Sequence, residues 1–207
     1  MSILALTSNT LSGTAAAGQI EYNGTIFAAT PLGTQRGIVP NEQFFALNAG
    51  LAGANVNTAQ SIFGVGVTLS ASTQYEFEAV FALSKAAGTT SHTISLGFGG
   101  TATLNTIMYY SCGGVNSTGT AIATNVLTPI FVQTASATIA TASLAIAVDI
   151  YEATIKGTVS INAGGTFIPQ YTLSAAPGGA YTTAAGSYMK IKPIGAAGAN
   201  VSVGTWS

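Results

Sequence analysis

Glu76 and Glu78 are the closest pair of carboxylates in the chain. Paired acids can hold a cation or act as general acid and base. They are next-but-one neighbours, and on a strand that spacing puts both on one face. A glycosidase needs its two carboxylates on either side of the scissile bond. Glu76 and Glu78 fit that poorly, unless a subunit contact brings in an acid from a second chain. A solvated strand face that guards against edge pairing is the expected role.

The remaining reactive groups are scattered. His92, Cys112 and Asp149 are the sole histidine, cysteine and aspartate. A zinc site needs three or four ligands, and the chain is short of residues to supply them. A serine triad would have to draw on His92 and Asp149, but no G-x-S-x-G elbow accompanies them. His92 is expected at a strand end with a satisfied hydrogen bond, and Asp149 shares a face with Tyr151. Gly97-Phe98-Gly99-Gly100 matches neither the dinucleotide fingerprint nor a P-loop. The N-x-S/T sequons at Asn23, Asn116 and Asn200 arise by chance in so Ser/Thr-rich a chain. Lys156, Lys190 and Lys192 are expected on an outer strand face. Arg36, the single arginine, is either a solvated loop charge or a pairing partner across a subunit contact. No catalytic, cofactor-binding or metal residue is assigned, and no cofactor is implied. The interface residues stay unassigned.

The elements that carry these groups read as strands. Gln74–Ser84 alternates strictly, with Tyr75, Phe77, Ala79, Phe81 and Leu83 on one side. In Ser143–Ala163 the apolar parity changes from even to odd, and a break is expected at Tyr151–Thr154. Gly164-Gly165 is expected to make a two-residue turn, with Phe167, Pro169, Tyr171 and Leu173 on the returning strand. Pro169 places that strand at an edge or a bulge. Asn23-Gly24 predicts a hairpin between Gln19–Tyr22 and Thr25–Ala28. Further strands are expected at Phe44–Asn48, Ser61–Leu69, Thr90–Phe98, Thr103–Tyr110, Ala121–Val132, Tyr188–Ile194 and Val201–Trp206. Thr30–Pro40, Asn48–Asn57 and Ala175–Ala180 read as loops. The alternating Ala and Thr of Asn125–Ser143 hold no capped helical period. The expected fold is all-β, a β-sandwich of jelly-roll type in one domain at 21–207. A short N-terminal arm at 1–20 precedes it, with a strand or arm at Ser2–Thr7.

Composition narrows the function. Charged residues make up 5% of the 207 residues, against roughly 25% in an ordinary soluble domain. Five basic and six acidic residues, eleven charges in all, leave a net charge of −1. There is no basic stripe to displace counterions from nucleic acid, and nothing to attract an anionic membrane. So few charges point to a chain whose surface is covered by partners, with a neutral, hydroxyl-rich coat as the alternative. Met1–Leu6 lacks the basic n-region of a signal peptide, and no run is long enough for a membrane helix. An outer-membrane barrel would need such a signal and aromatic girdles. Assembly in a cytoplasm is expected.

Several blocks carry a resemblance. They are TPLGTQRGIVPNEQFFALN, AQSIFGVGVTLSASTQYEFEAVFALSKAAGTTSHTISLGFGGTATLN, KGTVSINAGGTFIPQYTLSAAPGGAYTTAAGSYMKIKPIG and ANVSVGTWS. They resemble a module of tailed-bacteriophage virion proteins, especially of marine and freshwater phages including cyanophages. The resemblance spans roughly Glu21 to the C-terminus. It implies a non-enzymatic, β-rich virion protein, often a homotrimer, with no catalytic motif to carry over. Such modules serve in head decoration and in tail fibres. Head cement, set against the major capsid protein, is the expectation here. About twenty residues precede the module, few for an anchor and stalk, and they show no heptads. A tail-fibre or spike tip that recognises a host receptor or glycan is the alternative.

Overall fold

The computed structural model describes residues 5–116, 130–140, 146–198 and 200–206. The described chain is all-β. In order the strands are β1 (Gln19–Tyr22), β2 (Phe27–Leu32), β3 (Gln35–Val39), β4 (Gln43–Ala46), β5 (Leu51–Ala52), β6 (Gln60–Ser61), β7 (Val67–Leu69) and β8 (Thr73–Lys85). They continue as β9 (Ile94–Gly99), β10 (Thr103–Asn116), β11 (Ile130–Val132), β12 (Ser136–Ala140), β13 (Asp149–Ala163), β14 (Gly165–Leu173), β15 (Thr182–Thr183) and β16 (Tyr188–Ala196).

Two antiparallel sheets share one core. The first runs β11-β10-β13-β8, and the far side of β8 is shared by β15, which leads on to β5, and by β16, which leads on to β4. The second runs β12-β9-β14-β6, with β7 also on β14. A third, small sheet is β1-β2-β3. Strand β8 behaves as its alternation requires: Tyr75, Phe77, Ala79, Phe81 and Leu83 are buried. Against them lie Ile94 and Leu96 of β9 and Phe167, Tyr171 and Leu173 of β14. Phe77, Phe98 and Phe167 pack edge-to-face or stacked at 4.8–6.0 Å, and Tyr109 meets Phe98 edge-on at 5.4 Å. Each large side chain buried here contributes roughly 1.5–3 kcal/mol.

The structure corrects several local expectations. There is no break at Tyr151–Thr154: β13 pairs with β8 without a shift from Asp149↔Lys85 to Ser160↔Gln74. Odd positions face inward from Asp149 onward. The even-parity residues Ile146 and Val148 precede the strand and are 41% and 53% exposed. Gly164-Gly165 is not a hairpin turn. It carries the chain from β13 in the first sheet to β14 in the second, and those strands do not pair with each other. The corner is tight, since a Cβ on Gly164 would lie 2.9 Å from Leu69 O and Ala71 N.

The Asn23-Gly24 hairpin forms, but Tyr22↔Phe27 pairing makes its loop four residues long. Asn23 Oδ1 accepts the N–H groups of Thr25 and Ile26, and Gly24 takes a φ of 91°. Thr30–Pro40 is not a loop throughout: β2 and β3 form a second hairpin within it. Ser61–Leu69 is strand only at its ends, in β6 and β7. Val201–Trp206 forms no strand. Strand β12 lies beyond the expected Ala121–Val132 strand, at a place where no strand is expected. Most of Ala121–Val132, and residues 2–4 of the expected arm, lie outside the described residues; Ala5–Thr7 carry no strand. Pro169 sits where the edge of β14 is interrupted between β7 and β6, so its missing N–H breaks no ladder.

Candidate functional site

The charged side chains are gathered on one surface. Even-numbered residues of β8 and β13 and their neighbours in β16 project from the outer face of the first sheet. Strand register sets them in rows. One row reads Phe131, Tyr110, Lys156, Glu78, Lys190, Phe44 across β11, β10, β13, β8, β16 and β4. The next holds Met108, Thr158, Glu76 and Lys192. Lys156 lies 2.9 Å and Lys190 3.7 Å from Glu78, and Lys192 lies 3.2 Å from Glu76. Tyr188 donates to Glu78 at 3.0 Å.

With Glu152 of β13, this face carries six of the eleven charges. Strands β6, β7, β9, β12 and β14 of the second sheet carry none. Their outer face is a ladder of small polar groups: Thr172 and Thr138 flank Ser95, and Gln170 and Ser136 flank Gly97. Ser95 and Thr138 hydroxyls bond at 3.0 Å.

The lysines decide what the Glu76/Glu78 pair can do. The hydrogen bond from Lys156 is the main cause holding the Glu78 carboxyl below its ordinary pKa, with the Tyr188 hydroxyl adding to it. Glu78 therefore stays ionised near neutral pH, whereas a general acid needs its pKa raised. Lys156 is raised in turn by Glu78. The arrangement is a self-neutralised ionic ladder on an open sheet face.

A second cluster is buried. Lys85 ends β8 and Asp149 opens β13, opposite each other in register. Lys85 Nζ is 3.4 Å from Asp149 Oδ2 and donates to the carbonyls of Gly88, at 2.8 Å, and Ile146. The Tyr181 hydroxyl lies 3.0 Å from Asp149 Oδ2 and 2.8 Å from His92 Nε2, within hydrogen-bond reach of both. His92 Nδ1 is 2.8 Å from the Thr90 carbonyl. None of the four is more than 3% exposed. Burial pushes the Asp149 carboxyl up, against the opposing pull of Tyr181 and Lys85. Burial also raises Tyr181 strongly, with Asp149 beside it adding to the shift. His92 has hydrogen-bond partners, as the sequence suggests, but it lies in the β8–β9 connection, two residues before β9, and not in the expected Thr90–Phe98 strand. It does meet Asp149, but through a tyrosine and inside the fold, where no substrate reaches.

The other sequence candidates stay apart. Arg36 pairs within its own chain, 2.9 Å from Glu21, and donates to the Ser12 carbonyl. Cys112 is free and half-buried, in a shallow cleft of about 390 Å³ lined mostly by small residues. Phe44, Phe45, Phe63, Val65, Met189 and Ile191 line an apolar cleft of about 310 Å³ between the sheet margins. Among the described residues no three His, Cys, Asp or Glu side chains converge on a metal site. Of the sequon asparagines, Asn23 spends its side chain on its turn, Asn200 is exposed, and the Asn116 side chain lies outside what is described. Sequence reasoning missed Lys85 and Tyr181. Their signal was weak: a lysine ending an apolar strand, and a tyrosine after AAPGGA.

No family model, no curated protein and no solved structure matches the chain.

Proposed function

We propose that this chain is a non-enzymatic structural protein of a tailed-bacteriophage virion, a capsid cement or decoration protein that stabilises the head. It works as a homotrimer seated on the major capsid protein, assembled in the host cytoplasm. The observation that carries the reading is the partition of charge. A chain free in water on all sides spreads its charges, whereas this one keeps six of eleven on one sheet face and none on the strands of the other sheet. The charged face is the natural water-facing side, and the uncharged ladder is the side suited to a partner. The resemblance of the sequence blocks to phage virion modules supports the same reading. The jelly-roll assignment within the sandwich class belongs to this proposal and rests on the strand count.

One observation favours the alternative, a tail-fibre or spike tip that binds a host receptor or glycan. Met108, Tyr110 and Phe131 are exposed together at the β10–β11 margin, an apolar surface of the kind used in recognition. Counting copies in purified particles separates the two. Cement approaches the abundance of the major capsid protein, whereas a tip is scarce and confined to the tail. Absence of the chain from purified particles overturns both. Light scattering that gives only the 20.6 kDa monomer over a wide concentration range overturns the trimer.

A further inference from the structure

The hydrogen bonds among His92, Tyr181 and Asp149 require a definite number of protons. A carbonyl oxygen only accepts, so the 2.8 Å contact to Thr90 means that His92 Nδ1 carries a proton and donates it. The opposite nitrogen, Nε2, is 2.8 Å from the Tyr181 hydroxyl, and that hydroxyl is 3.0 Å from Asp149 Oδ2. A phenol has one proton to give. If it goes to Asp149, Nε2 must also be protonated, and the ring is an imidazolium. If it goes to Nε2, Oδ2 must carry a proton and donate to the tyrosine oxygen, and Asp149 is a neutral acid. A neutral imidazole with an ionised carboxylate leaves one of the two contacts lone pair against lone pair. Both permitted states hold the same extra proton, and they differ only in which end of the chain bears it.

The described ionisable neighbours supply no substitute. The ionisable groups facing the trio are Lys85 from β8 and Tyr171 from β14. Lys85 directs its N–H groups to Gly88, Ile146 and Asp149, and none to the tyrosine or the histidine. Tyr171 meets Tyr181 ring to ring, with centroids 6.3 Å apart. Among the described residues Asp149 Oδ1 accepts no hydrogen bond, a costly state for a buried carboxylate.

We propose that His92, Tyr181 and Asp149 share one buried proton that latches this end of the sandwich, and that losing it as pH rises releases the latch. The trio joins three segments distant in sequence: the β8–β9 connection, the start of β13 and the segment ahead of β15. The same connection is held at Thr90 N–H, which donates to Pro177 O at 3.3 Å, and at Gly88, where the Pro177–Gly179 backbone leaves no room for a Cβ.

The sign follows from proton counting. An unfolded chain gives up its imidazole proton near pH 6.5 and its aspartate proton near pH 4. As long as the folded latch holds its extra proton, the native state binds more protons above about pH 6.5 than the unfolded chain does. The folding constant then falls about tenfold per pH unit until the folded latch itself loses its proton.

With one histidine and one aspartate in the chain, each gives a single unambiguous signal. The test is to record imidazole ¹⁵N and aspartate carboxyl ¹³C spectra of the wild-type protein from about pH 5 to about pH 10. At about pH 7.5 the expected result is an imidazolium with an ionised carboxylate, or a neutral Nδ1–H imidazole with a protonated carboxyl. A neutral imidazole beside an ionised carboxylate at that pH overturns the proposal. The second measurement is urea unfolding across the same range. The wild-type folding constant should decline above about pH 6.5, and flat or rising stability there overturns the proposal. In Asp149→Asn the side-chain amide can donate to Tyr181 as a protonated Asp149 would, and it cannot titrate, so the decline should be absent.

Discussion

At the scale of single residues, the buried Lys85–Asp149 pair is where one substitution has most effect. Both side chains are fully enclosed, so removing Asp149 leaves the Lys85 ammonium buried without its acidic partner. Asp149→Ala is expected to cost about 3–5 kcal/mol in urea unfolding, and adding Lys85→Met should recover part of it. A loss below about 1 kcal/mol would mean that the pair is not holding the strand ends. Glu78 behaves differently because it sits at the surface. Its folded pKa is lowered from 4.5, chiefly by Lys156, so its contribution is present above that value and fades as pH falls through the lowered one. Glu78→Gln should therefore be slightly less stable than wild type at neutral pH. The gap should close in acid and shrink in high salt, as thermal melts in paired buffers would show. The sequence made His92 legible as a satisfied histidine because it had no ligand partners nearby. Its actual partner could not be read, since Tyr181 is 89 residues away and only the strand pairing brings them together.

At the scale of elements, legibility follows how strictly burial alternates. Strand β8 was readable throughout because β13 covers one side of it, β16 and β15 cover the other, and its inner face meets the second sheet. The start of β13 misled because Ile146 and Val148 mimic the alternation while lying outside the strand. The β2–β3 hairpin was hidden by Pro31 inside β2 and Pro40 just past β3, and β12 by alanines that carry little side-chain signal. Gly164-Gly165 looked like a hairpin because local turn chemistry says where a chain bends, not which sheet it enters next. The crossing there delivers Phe167 into the aromatic cluster between the sheets, against Phe77 and Phe98. Phe167→Ala should accordingly cost about 3–5 kcal/mol by denaturant unfolding, the usual range for emptying an aromatic site. A cost near that of a surface change would show that the two sheets do not depend on this contact.

At the scale of the whole molecule, the distribution of charge makes the proposed assembly testable without knowing its final geometry. The chain could be recognised as sparsely charged from composition alone, but the segregation needed the register. Glu76, Glu78, Glu152, Lys156, Lys190 and Lys192 come from three strands and meet only because β13, β8 and β16 are neighbours. If that face looks to water and the uncharged ladder of the second sheet meets a partner, the contact contains no ion pairs to screen. Self-association should then change little between about 50 mM and about 500 mM salt, a range over which surface electrostatics are strongly attenuated. Placing charge on the two faces should have opposite consequences. Lys156→Glu and Lys192→Glu on the charged face should leave assembly intact. Thr138→Lys or Thr172→Lys on the ladder should weaken it at least tenfold, because a lysine there must be desolvated without a partner. Sedimentation velocity of the purified variants, with circular dichroism to confirm that each remains folded, reads both arms. Assembly lost on the charged face and kept on the ladder would reverse the proposed orientation of the subunit.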